Sequence, residues 1–99
     1  MIHVTVSQLD TVRAVIRSHA PTCHVYAFGS RHKGNHKEYS DLDLAFAAID
    51  GKRLGIKRTG IMKEAFEESD LPFCVDVVDY NGVSEAFREI IDGGCERIE

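Results

Sequence analysis

Phe28-Gly29-Ser30-Arg31-His32-Lys33-Gly34-Asn35-His36-Lys37-Glu38-Tyr39-Ser40-Asp41-Leu42-Asp43-Leu44-Ala45-Phe46 is the stretch that decides how this chain folds. Its second half alternates, with Leu42, Leu44 and Phe46 interleaving Asp41, Asp43 and Ala45. Side chains on a strand point to opposite faces with a period of two. The three apolar residues therefore enter a core, and Asp41 and Asp43 share the other face. Two carboxylates side by side repel, so a site that keeps both ionised usually also holds a cation. Mg²⁺ suits oxygen ligands and is often shared between one or two carboxylates and substrate phosphates. Taken alone, Asp-x-Asp is more often a half-buried strand with an acidic outer face, so the flanking residues must decide.

Upstream, His24-Val25-Tyr26-Ala27-Phe28 is aromatic and β-branched and reads as a strand. It stops at Gly29-Ser30. Glycine permits a sharp turn and close approach by a ligand. A turn leading into a short helix presents N–H groups to an anion, and a serine hydroxyl adds a donor. Arg31 and Lys33 bring positive charge, and Gly34 allows a second turn. Each piece by itself also describes an ordinary strand connection with solvated basic residues.

Together the pieces are more specific. Gly-Ser-Arg-x-x-Gly, five further residues, then Ser-Asp-x-Asp-Leu resembles the signature of the polymerase-β-like nucleotidyltransferase superfamily. The match is to its smallest branch, the minimal nucleotidyltransferases (MNT) of bacteria and archaea. The resemblance implies an α/β (α+β) fold with a small mixed sheet flanked by helices. It also implies a third carboxylate on a later strand, which Pro72-Phe73-Cys74-Val75-Asp76-Val77-Val78-Asp79 offers. Asp76, mid-strand between Val75 and Val77, takes that role. Asp79 has the opposite parity, faces away from Asp76 and is assigned to strand-end solvation or turn chemistry.

What the resemblance implies for function is Mg²⁺-dependent transfer of AMP from ATP to a hydroxyl acceptor. Gly29, Ser30 and Arg31 would hold the nucleotide's phosphates. Asp41, Asp43 and Asp76 would be the catalytic and metal-binding acids, for one or two Mg²⁺ ions, with Asp76 alternatively accepting the acceptor's proton. Two ions about 3.5–4 Å apart can clamp the attacking and leaving oxygens of an in-line displacement. Free-standing members of this branch pair with a small helical HEPN protein as halves of toxin–antitoxin modules. The nucleotidyltransferase is then the antitoxin, and a tyrosine of the toxin is the acceptor. A competing reading is a catalytically idle antitoxin-type module that blocks its partner sterically; the retained Gly29, Ser30, Asp41, Asp43 and Asp76 weigh against it. Transfer to a tRNA or a small molecule is the third.

The remaining sequence frames these expectations. Ninety-nine residues, 1–99, read as one domain near the small end for a self-sufficient core. No apolar run approaches the ~20 residues of a membrane span, and Met1-Ile2-His3-Val4-Thr5 lacks the pattern of a signal peptide. Cys23, Cys74 and Cys95 are an odd number without paired metal spacing, consistent with reduced thiols in the cytoplasm. The net charge of −4 argues against a general nucleic-acid binder, although Lys52, Arg53, Lys57 and Arg58 and the basic residues around Gly34 leave a small RNA contact open. A homo-oligomer is compatible with the sequence. His32 and His36 stand four apart, but Gly34 and Asn35 between them favour a loop over a helical metal site.

The expected layout is helix, strand, short helical turn, strand, helix, strand, helix. Ser7 with Asp10 resembles a capping box that opens a helix bearing Leu9, Val12, Ile16 and His19 on one face, ended by Pro21. A second long helix falls between Leu54 and Glu68, with Ile61, Met62, Ala65 and Phe66 inward and a start weakened by Gly55 and Gly60. The last helix carries Val83, Phe87, Ile90 and Ile91 as core, with Ser84 as cap and Gly93-Gly94 as stop.

Overall fold

The computed structural model describes residues 2–37 and 40–99; Met1, Glu38 and Tyr39 lie outside the described residues. Eight elements follow one another: α1 Val6–His19, β1 Cys23–Phe28, α2 Ser30–Lys33, β2 Leu42–Ala48, α3 Ile56–Glu67, β3 Val75–Asp79, α4 Glu85–Asp92 and β4 Cys95–Arg97. The strands form one mixed sheet in the order β3-β2-β1-β4. β1 runs antiparallel to both β2 and β4, whereas β2 and β3 are parallel. Parallel neighbours need a crossover, and α3 supplies it.

Burial decides which way β2 faces. Leu42, Leu44 and Phe46 are completely buried. They pack with Val25 and Ala27 of β1, with Val12 and Ile16 of α1, and with Met62 and Phe66 of α3. Removing each such large side chain from water contributes roughly 1.5–3 kcal/mol. Two like charges about 4 Å apart cost about 1–4 kcal/mol between bulk water and a protein surface. Three buried apolar side chains therefore outweigh the crowding of acids on the opposite face. That face carries a smaller cluster of Phe28, Ala45 and Ile91, the last from α4.

Several expectations are corrected. The cap of α1 is Thr5, two residues before Ser7, because Thr5 and Gln8 form the reciprocal box: Gln8 N–H donates to Thr5 Oγ1 at 3.1 Å, and Thr5 N–H to Gln8 Oε1 at 2.9 Å. Ile61 is 48% exposed, since Met62 and Phe66, one turn apart, occupy the inward stripe of α3. On α4 only Ile91 is buried, and Ile90 is 66% exposed. Ser84 does cap that helix, accepting from Phe87 N–H. β4 was not expected: after Gly93-Gly94 the chain returns along β1, pairing Phe28 with Cys95 and Tyr26 with Arg97.

Asp79 faces away from the acidic face, as its parity requires. Its Oδ2 accepts Leu54 N–H at 2.9 Å and Gly55 N–H at 3.3 Å, so it serves as a remote cap for α3, whose own cap residue Gly55 has no side chain to give. Asp79→Ala is expected to lower stability by about 0.5–2 kcal/mol in urea unfolding, the usual range for a lost helix cap. A stability equal to wild type would remove Asp79 from this role.

Candidate active site

The alternation of β2 places Asp43 on the face opposite the main core, and Asp41, two residues earlier, has the same parity. Two register pairs extend this into a row across three strands. Asp43 lies opposite Phe28 on β1 and opposite Asp76 on β3. Asp41 and Asp76 are exposed and Asp43 is half-buried. Burial raises the Asp43 carboxyl above the ordinary aspartate range, and the charges of Asp76 and Asp41 raise it further. Both effects disfavour the carboxylate form of Asp43.

Gly29 closes one side of this row. Its backbone, at φ 76 and ψ −155, lies in a region essentially reserved for glycine. A Cβ built there would overlap Asp43 Oδ2. The bare Cα of Gly29 is thus what admits the Asp43 carboxylate beside the turn. α2 begins at once with Ser30, and Gly29's carbonyl accepts His32 and Lys33 N–H at 3.1 and 3.0 Å. Gly34, left-handed at φ 85, ends the turn, its N–H donating to Ser30's carbonyl at 2.9 Å. Gly29, Ser30, Asp41, Asp43 and Asp76, assembled from two strands and the turn beside them, thus come to one end of one face.

Arg31 departs from the expectation of a nucleotide ligand. It is 4% exposed, and its guanidinium donates to the carbonyls of Ser40 and His3 and lies over the Phe73 ring. Burial lowers the guanidinium below its usual value. His3 and Phe73 come from distant segments, so no local pattern could have announced these contacts. The His36 ring lies beside that of His3, centres 5.4 Å apart and tilted by 33°.

The acidic row also bears on a metal. Among the described residues, no three or more His, Cys, Asp or Glu side chains converge as placed on one ion. The donor chemistry nonetheless fits Mg²⁺: three carboxylates from one face, two of them raising the proton affinity of the third. Asp41 and Asp76 are exposed, whereas Asp43 lies against Gly29.

The model of the family "Polymerase beta, Nucleotidyltransferase" matches residues 10–95. The chain belongs to this nucleotidyltransferase family. It is 48% identical over 84 residues to the probable protein adenylyltransferase MntA of Haemophilus influenzae (strain ATCC 51907 / DSM 11121 / KW20 / Rd), a match covering 85% of this chain and 72% of that protein. Two solved structures share the fold. One, described as a toxin–antitoxin with AMP-PNP, superposes with a TM-score of 0.78 at 22% identity, over 92% of this chain and 72% of the other. The second, a tri-AMPylated Shewanella oneidensis HEPN toxin in complex with MNT antitoxin, gives 0.70 at 19% identity, over 94% and 70%. The four-stranded mixed sheet flanked by helices is thus the nucleotidyltransferase fold of the polymerase β family. Among the described residues no helix is long and apolar enough to cross a membrane.

Proposed function

We propose that this nucleotidyltransferase moves AMP from ATP to a tyrosine hydroxyl of a HEPN-type toxin and thereby acts as its antitoxin. The observation that carries the reading is the row in which Asp43, seated against Gly29, lies in register with Asp76. The relative named as a probable protein adenylyltransferase supports the same chemistry. In the reaction the acceptor oxygen bonds to the α-phosphorus, the bond from the α-phosphorus to the α–β bridging oxygen breaks, and pyrophosphate leaves with that electron pair. The tyrosine proton passes to solvent, or to exposed Asp76 where that carboxylate stands free of the ion. Gly29 and Ser30 bind and orient the β- and γ-phosphates. Asp41 and Asp43, with Asp76, would hold Mg²⁺. The ion's chemistry is to neutralise charge on the phosphates and polarise the α-phosphoryl group. Much of the acceleration in such transfers is positioning plus charge neutralisation, which suits a site built on rigid strands.

The test incubates α-labelled ATP and Mg²⁺ with the chain alone and with the protein encoded beside it. An Asp41→Ala/Asp43→Ala double variant is the control. Label is expected on a partner tyrosine and absent in the control. A stable complex that remains unlabelled would overturn the reading and leave a steric antitoxin.

A further inference from the structure

Arg31 is the only buried charged side chain among the described residues, and it joins segments that no strand ladder or helix brings together. Its Nε donates to the Ser40 carbonyl at 2.9 Å and its Nη1 to the His3 carbonyl at 3.0 Å. The guanidinium carbon stands 4.1 Å over the Phe73 ring centre. Arg31's own carbonyl accepts His3 N–H at 2.8 Å, so the N-terminal segment is clasped from both sides. Ser40 immediately precedes Asp41. Phe73 precedes Cys74, whose carbonyl accepts Leu42 N–H at 2.9 Å, and it leads into the strand bearing Asp76. One side chain rooted just after the Gly29-Ser30 turn thus spans the approaches to both acidic strands.

We propose that Arg31 is a positioning residue: acting through Ser40 and Phe73, it sets the spacing of Asp41 relative to Asp43 and Asp76, and so the site's affinity for a divalent cation, without touching the nucleotide. The inference rests on the nucleotidyl-transfer reading. Asp41 needs such an anchor because it lies just before β2, where the pairing with β1 and β3 begins only at Leu42 and beyond. Without it, repulsion from Asp43 would push the Asp41 segment outward. Only arginine's planar fork can bond two carbonyls in different directions while stacking on a ring; lysine brings a single compact charge. Losing a group that orients metal ligands commonly costs about 10–100-fold in metal affinity.

The test compares wild type with Arg31→Gln and Arg31→Lys. Mn²⁺ binding to the full chain is read by electron paramagnetic resonance, ATP binding is titrated separately in EDTA, and urea unfolding confirms the fold. Mn²⁺ affinity is expected to fall about 10-fold or more in both variants, while ATP affinity in EDTA stays at the wild-type value. Unchanged Mn²⁺ affinity would make Arg31 purely structural and overturn the proposal. An ATP affinity that falls as far as the Mn²⁺ affinity would also overturn it, in favour of direct phosphate contact. Should Arg31→Gln fail to fold, Phe73→Leu, which keeps the core filled and removes the stacking ring, must weaken Mn²⁺ binding or the proposal falls. A wild-type chain that binds no Mn²⁺ would bring down the nucleotidyl-transfer reading before any variant is compared, and this proposal with it.

Discussion

Asp43→Asn is expected to cut AMP transfer by at least about 10³-fold while raising the heat stability of the metal-free protein at neutral pH. The first effect follows from losing charge stabilisation worth several kcal/mol, at about 1.4 kcal/mol per tenfold in rate. The second follows from the environment of the carboxyl. Burial first, then the charges of Asp76 and Asp41, hold its folded value above the ordinary aspartate value. The folded chain therefore keeps this proton more tightly than the unfolded chain does. Stability from the group is present below about pH 4, the unfolded value, and is lost as pH rises through the raised folded value. At neutral pH the ionised Asp43 is a net cost, and asparagine removes it. Thermal unfolding in EDTA between about pH 4 and pH 8 should show the two proteins converging toward the acid end. Adding Mg²⁺ should stabilise wild type and not the variant, because a ligand raises stability only through the folded state that binds it. A variant that transfers AMP at the wild-type rate, or that melts lower than wild type in EDTA at neutral pH, would refute this account.

Gly29→Ala should be nearly as damaging to activity and, unlike Asp43→Asn, damaging to the fold. A side chain forced into this backbone conformation costs about 1–3 kcal/mol in strain alone. The added methyl would also overlap Asp43 Oδ2. Either the turn or the Asp43 carboxylate must move, and both belong to the proposed site. Displacements near 1 Å can cost about 100-fold in rate, so transfer should fall by at least that factor. Denaturant unfolding and label transfer on the same preparation check both halves. A folded Gly29→Ala protein of wild-type stability and rate would show that the close approach of turn and carboxylate is dispensable. The paired results separate causes: Asp43→Asn loses chemistry and gains stability, whereas Gly29→Ala loses both.

Much of this was legible in local pattern. The alternation from Asp41 to Phe46 set which residues of β2 are core, and Leu42, Leu44 and Phe46 are fully buried. The opposite parity of Asp76 and Asp79 separated an acid on the site face from one that caps α3. What local pattern could not carry was tertiary. β4 is three residues long, too short to show alternation, and exists because β1 has a free edge to pair with. Arg31 read as a phosphate ligand because it follows Gly-Ser; its burial depends on His3 and Phe73, which only the folded chain brings near. The apolar stripe on α4 read as core, yet Ile90 remains in water while Ile91 joins Phe28 and Ala45 in the smaller cluster.

β2 serves two masters at once: one side of it fills the interior, and the other presents the acids. The consequence is genetic. A one-residue insertion or deletion within β2 would turn Leu44 outward and Asp43 inward together, so such a lesion removes folding and chemistry in a single step. Selection for a folded chain alone then preserves the phase of the acidic residues. Point substitutions at Asp41 or Asp43, which we propose as metal ligands, change the acids without changing this phase.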